Sequence, residues 1–128
     1  SDLGKDITIV AYSAMVNQAL KAAEQLAQEN IDVEIVDVRS LEPLDTETIV
    51  KSVQKTGRAV VVHEACRKGG FGAEIASQIQ EAAWESLKAP VLRVGAPNVP
   101  VPFAPVLEKL FVPNDENIIG AVKECLNQ

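Results

Sequence analysis

The stretch ITIVAYSAMVNQALKAAEQLAQENIDVEIVDV, residues 7–38, holds two short apolar runs separated by a segment of different period. Residues 7–11, ITIVA, are β-branched and almost wholly apolar, the pattern of a strand rather than of a helix. Behind them Met15, Val16, Ala19, Ala22, Ala23 and Leu26 recur at helical spacing, with Ser13 placed to cap the helix. Residues 33–38 then repeat the strand signal. Strand, helix and strand in so short a span form the unit from which parallel sheets are built, because parallel neighbours need a crossover between them.

The rest of the chain continues the alternation. SLEPLD turns it, and Asp45 is placed to cap a second helix carrying Ile49, Val50 and Val53 on one face, which Gly57 ends. Residues 59–62 supply a third strand. The glycines of VVHEACRKGGFGAEI, residues 61–75, then lead into a helix whose Ile75, Ile79, Ala82, Ala83 and Leu87 read as a buried stripe. Pro90 opens the fourth strand, VLRV. From Gly95 the closely spaced prolines of APNVPVPFAP forbid helix and favour an extended path. After VLEKLF and Pro113, Asn114 is placed to cap a last helix, with Asp115 and Glu116 in its first turn and Ile118, Ile119, Val122 and Leu126 along one face. The expected fold is α/β: one domain over residues 1–128, a parallel sheet in the order 2-1-3-4 with helices on both faces, and a switch point between the first and third strands.

Composition narrows the function. A chain of 128 residues suits a single core burying roughly two thirds of the surface its unfolded form exposes. At 47% hydrophobic but only 4% aromatic, that core must be filled by Val, Ile, Leu and Ala, as buried parallel strands require. A formal charge of -6 and the lack of a Lys/Arg cluster argue against nucleic acid and anionic membrane as partners. No apolar run approaches the roughly 18 residues that span a bilayer. Two cysteines, Cys66 and Cys125, lack CxxC spacing, and a reducing, cytoplasmic compartment is expected. The start, SDLGKD, has no signal-peptide core, and its nearness to the first strand points to a piece of a longer chain.

The candidate loops follow the strands, where open α/β sheets bind ligands: residues 12–15, 39–45, 63–72 and 95–105. Gly69, Gly70 and Gly72 permit close backbone approach, but GGFGAEI has Ile75 where GxGxxG needs its third glycine, and no Walker motif occurs. A structural turn is therefore preferred to a phosphate cradle. His63 and Glu64 are adjacent at a strand end, point to opposite sides and do not naturally share a proton. One histidine and two separated cysteines supply no metal set. Asp37 and Arg39, two apart on a strand, face one side and read as a structural ion pair. Ser13 lacks a nucleophile elbow, and Cys66 has only nearby His63 and Arg67 for activation, so no catalytic residue is assigned. Trp84 and Phe103 are the candidate interface anchors, set against plain core packing, which for Trp84 is the reading preferred.

Taken in order, IVDVRSLEPLD, VVVHEACRKGGFGAEIASQIQEAAW, LKAPVLRVGAPNVPVPFAP and LFVPN resemble the carboxyl-terminal, transketolase-like domain of the β subunit of thiamine-diphosphate-dependent 2-oxoacid dehydrogenases. That group comprises the decarboxylating components of pyruvate, branched-chain 2-oxoacid and acetoin dehydrogenase complexes, and the resemblance covers essentially the whole chain. It implies a three-layer α/β/α sandwich with a mostly parallel sheet and a further antiparallel strand from residues before Ser1. It also implies an α2β2 oxidoreductase using thiamine diphosphate and magnesium. The cofactor would lie between the α subunit and the amino-terminal domain of the β subunit. This domain would support pairing with the α subunit and a second β subunit, and docking of the lipoyl-bearing acyltransferase. Because the GDG...N motif and the acidic activator are absent, the domain by itself is expected to be inactive and to bind no cofactor. Asp37, Arg39, Leu41, Pro43 and Asp45 match the family's DxRxLxPxD turn, and Glu64, Gly69, Gly70, Gly72 and Glu74 its EAxxxGGFGAEI turn and helix. His63 before Glu64 is closer to the branched-chain and acetoin relatives than to the usual pyruvate form. Two other classes compete: a related transketolase-type or ferredoxin-dependent 2-oxoacid oxidoreductase domain, and a free-standing flavodoxin-like signalling or small-ligand module. Against a receiver, ITIVAYS and VVVHEA offer only Glu64 where an acidic pair and an acceptor Asp are needed.

Overall fold

The computed structural model describes residues 6–12, 15–38, 46–63, 71–95 and 113–127. Their elements run β1 (Ile7–Tyr12), α1 (Val16–Ala27), β2 (Val33–Val38), α2 (Thr46–Thr56), β3 (Ala59–Val62), α3 (Phe71–Ala82), a short 3-10 turn (Trp84–Ser86), β4 (Leu92–Val94) and α4 (Asp115–Leu126). The described strands form one sheet in the order β2-β1-β3-β4. Every neighbouring pair is parallel, with Ile9 opposite Ile35 and Val60, and Val61 opposite Arg93. The expected order is thus the observed one.

Strand order dictates the layers. The chain moves outward from β1 to β2, then back past β1 to β3; crossovers of one hand must put the two connecting helices on opposite faces. Alternation along β1 feeds both. Ile7, Ile9 and Ala11 join Ala19, Ala22 and Leu26 of α1 and Ile118, Val122 and Cys125 of α4 in one cluster. Val10 joins Ile49 and Val53 of α2 and Ile75 and Ile79 of α3 in the other. The whole of β3 is buried, as a central strand in a three-layer fold must be.

Helix ends show which sequence signals held. Asn114 caps α4 as expected: its Oδ1 accepts from the Asn117 amide at 2.8 Å, and the Asn117 side chain accepts from the Asn114 amide at 3.0 Å. Gly57 closes α2 at φ +80°, the left-handed region that favours glycine. For α1 the capping position is Met15, with no side-chain cap bond; Ser13 and Asp45 lie outside the described residues.

Two expectations about α3 need correction. Ala82 is exposed, because the buried face follows Ile75, Ile79 and Ala83 at four-residue steps and Ala82 lies off it. Trp84 does not pack in the core: it is 69% exposed on the 3-10 turn that ends the helical path.

The sheet's amino-terminal edge holds a polar feature that the apolar reading of ITIVA passed over. Thr8 is fully buried, and its hydroxyl lies 2.8 Å from Ser52 Oγ and 2.8 Å from Thr56 Oγ1, both on the buried face of α2. Thr8→Val should cost about 1 kcal/mol in denaturant unfolding. The cost stays small because neither neighbour is orphaned: Ser52 keeps Glu34 Oε1 at 2.8 Å and Thr56 keeps the Arg58 carbonyl at 3.0 Å.

Candidate functional site

An open α/β sheet offers ligands the crevice at the carboxyl ends of its strands where the strand order reverses, here between β1 and β3. The last registered pair across that boundary is Ala11 with Val62, so Tyr12 and His63 follow side by side. Tyr12 is half-buried and packs against the cluster under α2 and α3. Ala59 and Val61 face that same cluster, and strand alternation sends His63 the same way.

His63 is tightly positioned. Its amide donates to the Val94 carbonyl at 2.9 Å, extending the ladder between β3 and β4 by one bond. Its ring lies against the backbone of Gly95: a Cβ added there would stand 2.2 Å from both Cε1 and Nε2 and 2.7 Å from Nδ1. Only glycine fits under that ring. The arrangement holds the chain's single imidazole against the end of β4, which favours a positioned strand-end residue over a freely swinging acid or base.

The other residues singled out from the sequence separate into two groups. Asp37 sits half-buried one position before the end of β2, and Gly72 falls within the first turn of α3 rather than in the loop before it. Glu74 is exposed in that same turn. Arg39, Leu41, Pro43, Asp45, Glu64, Cys66, Gly69, Gly70 and Phe103 lie outside the described residues. Among the described residues, no three His, Cys, Asp or Glu side chains gather as a metal-ion set. Cys125 is buried in the last turn of α4, and burial pushes its thiol above the ordinary range, so at neutral pH it is a packed thiol rather than a nucleophile.

A groove of about 530 Å³ lies away from this crevice, along the outer edge of β2 beside α2. Glu34, Asp37, Thr48, Lys51, Ser52 and Lys55 give it polar walls. Lys55 Nζ is 2.8 Å from Glu34 Oε1, and Ser52 donates to the same oxygen. Burial opposes ionisation of Glu34 most strongly, but the bonds from Lys55 and Ser52 and the charge of Lys55 together outweigh it and hold the carboxyl below its ordinary value. The stabilisation is therefore complete above about pH 4.5 and is lost as the pH falls through the lower folded-state value.

The family model of the transketolase C-terminal domain matches residues 1–118. The chain belongs to that family. This transketolase C-terminal domain is 46% identical over 123 residues to the pyruvate dehydrogenase E1 component β subunits of Staphylococcus epidermidis and Staphylococcus aureus. That alignment takes in 96% of the chain but only 38% of each relative. Among solved structures, a protein described as a split gene transketolase, inactive beta4 tetramer, superposes with a TM-score of 0.71 at 35% identity, over 97% of this chain and 39% of that one. A 2-oxoglutarate:ferredoxin oxidoreductase from Magnetococcus marinus superposes with a TM-score of 0.63 at 12% identity, over 98% and 18% of the two chains, and shares the fold. None of the described helices is long and apolar enough to cross a membrane.

Proposed function

We propose that this chain, residues 1–128, is the transketolase-like C-terminal domain of a longer β subunit, in the decarboxylating component of a thiamine-diphosphate-dependent 2-oxoacid dehydrogenase. Its role is assembly: it supports pairing with an α subunit and a second β subunit and docking of the lipoyl-bearing acyltransferase, in the cytoplasm. The observation that carries this reading is the 46% identity to pyruvate dehydrogenase E1 β subunits across 96% of the chain. The tetrameric state of the split gene transketolase is in keeping with a domain that works among subunits.

The described residues do not fit the cofactor. A divalent cation bridging a diphosphate needs several converging oxygen ligands, and no such group occurs among them. On this reading the electrostatic clamp for thiamine diphosphate is supplied by the α subunit and by the amino-terminal domain of the β subunit. Titrating this chain with thiamine diphosphate and magnesium in a calorimeter is expected to give no binding heat; micromolar affinity would overturn the assignment. Joining the domain to its preceding segment, co-purifying it with an α subunit and offering pyruvate, branched-chain oxoacids and acetoin would then reveal the substrate.

A second reading, a transketolase-type enzyme, is favoured by the 35% identity to the split gene transketolase. It predicts turnover of ketose phosphates by the same reconstituted assembly, and no turnover of any oxoacid.

A further inference from the structure

Trp84 is the chain's only tryptophan, and it stands 69% exposed on the 3-10 turn that follows α3. An indole carries so much apolar area that it is seldom left in water, and it is enriched among the anchors of protein interfaces. The charges beside it narrow what can cover it. The Ala83 amide donates to the Ile79 carbonyl at 2.8 Å and the Leu87 amide to the Ala83 carbonyl at 3.1 Å, so the backbone keeps winding past the end of α3. That winding brings Glu81 and Glu85 out on the solvent side next to Trp84, and both are exposed. Among the described residues, neither carboxylate nor the indole N–H has a hydrogen-bond or ion-pair partner. Lys88, the cation of this stretch, lays its stem against Gly57, where its Cδ and Cε would stand 3.0 Å from an added Cβ.

The two glutamates and the formal charge of -6 repel an anionic membrane or a nucleic acid. A second copy joined about a two-fold axis through Trp84 would set the glutamates of one chain against those of the other. A cationic segment meets no such opposition. Arginine suits it doubly, because a guanidinium stacks on an indole face while its N–H groups bond a carboxylate. We propose that Trp84, Glu81 and Glu85 form a docking surface for an arginine-bearing basic segment of another protein. The surface lies away from the crevice at the carboxyl ends of the strands: α3 runs back along the sheet, and the chain beyond it is tied to the approach to β3, where the Lys88 amide donates to the Gly57 carbonyl at 2.8 Å. A segment docked there leaves the crevice open. The inference is independent of which enzyme the subunit serves.

A library of random peptides displayed on phage and panned over the immobilised chain supplies the test. The selected peptides are expected to be rich in arginine and, once synthesised, to shift the Trp84 emission to the blue, a signal from the chain's only indole. Trp84→Ala is expected to weaken their binding about tenfold. Glu81→Gln with Glu85→Gln should weaken it about threefold to tenfold and flatten its dependence on salt. Glu74→Gln with Glu116→Gln removes as many exposed charges elsewhere and should leave it unchanged. No enrichment, enrichment of neutral or acidic peptides, undiminished binding to Trp84→Ala, or an equal loss from the Glu74 and Glu116 pair would overturn the proposal. So would a blue shift that grows with chain concentration in the absence of peptide, which assigns the surface to a second copy.

Discussion

Ile9→Ala is expected to lower the unfolding free energy by about 3–5 kcal/mol, read as a fall in the urea midpoint at unchanged slope. Ile9 is fully buried in β1, with strands on both sides and the α1 and α4 cluster beneath it. Truncation there leaves a cavity that neither a strand held by two ladders nor helices fixed by their own apolar faces can collapse into. Its neighbour in register, Ile35, makes the comparison. It faces the same cluster but lies half-exposed on β2, the outer strand among those described. Less apolar area leaves water there on folding, so Ile35→Ala should cost about 1–2 kcal/mol. Equal costs for the two would mean that the inner and outer strands are not as assigned.

That contrast also marks what the sequence could disclose. The runs at 7–11, 33–38 and 59–62 and the helical stripes were legible because period and residue type follow directly from which faces are buried. Once the elements alternate as strand and helix, few topologies remain, and the order β2-β1-β3-β4 was among them. The degree of exposure of β2 was not legible, since an outer and an inner parallel strand carry the same Val and Ile. Thr8 was hidden for a similar reason: threonine is an ordinary strand former, and its role depends on two hydroxyls of α2 more than forty residues away. A signal did exist, because Ser52 and Thr56 sit four apart on the face that carries Ile49 and Val53, where hydroxyls need partners. For Trp84, core packing was preferred over an interface anchor, and that preference fails because α3 ends at Ala82 and the indole stands exposed on the 3-10 turn that follows. The motif turns at 39–45 and 64–70 lie outside the described residues, and their roles still rest on the resemblance.

At the sheet's carboxyl end, Gly95 lies directly beneath the His63 ring. Gly95→Ala is expected to destabilise the domain by about 2 kcal/mol and to displace the His63 ring. The cause is steric. A methyl group at Gly95 would come within 2.2 Å of two ring atoms, far inside van der Waals contact, while the His63 backbone is anchored through its amide to Val94 at 2.9 Å. The ring therefore has to rotate away about its side-chain torsions, giving up its contact with the end of β4. Because the clash is with the imidazole and not with backbone, removing the ring should remove the cost: His63→Ala combined with Gly95→Ala should be no less stable than His63→Ala alone. That non-additivity separates a close approach from a conformational demand on the glycine, which would persist in the double variant. The histidine ring resonances give an independent reading, since they should shift in Gly95→Ala even where the stability change is small. If those resonances stay in place, or the double variant pays the full sum of the two losses, Gly95 serves the backbone and not the ring.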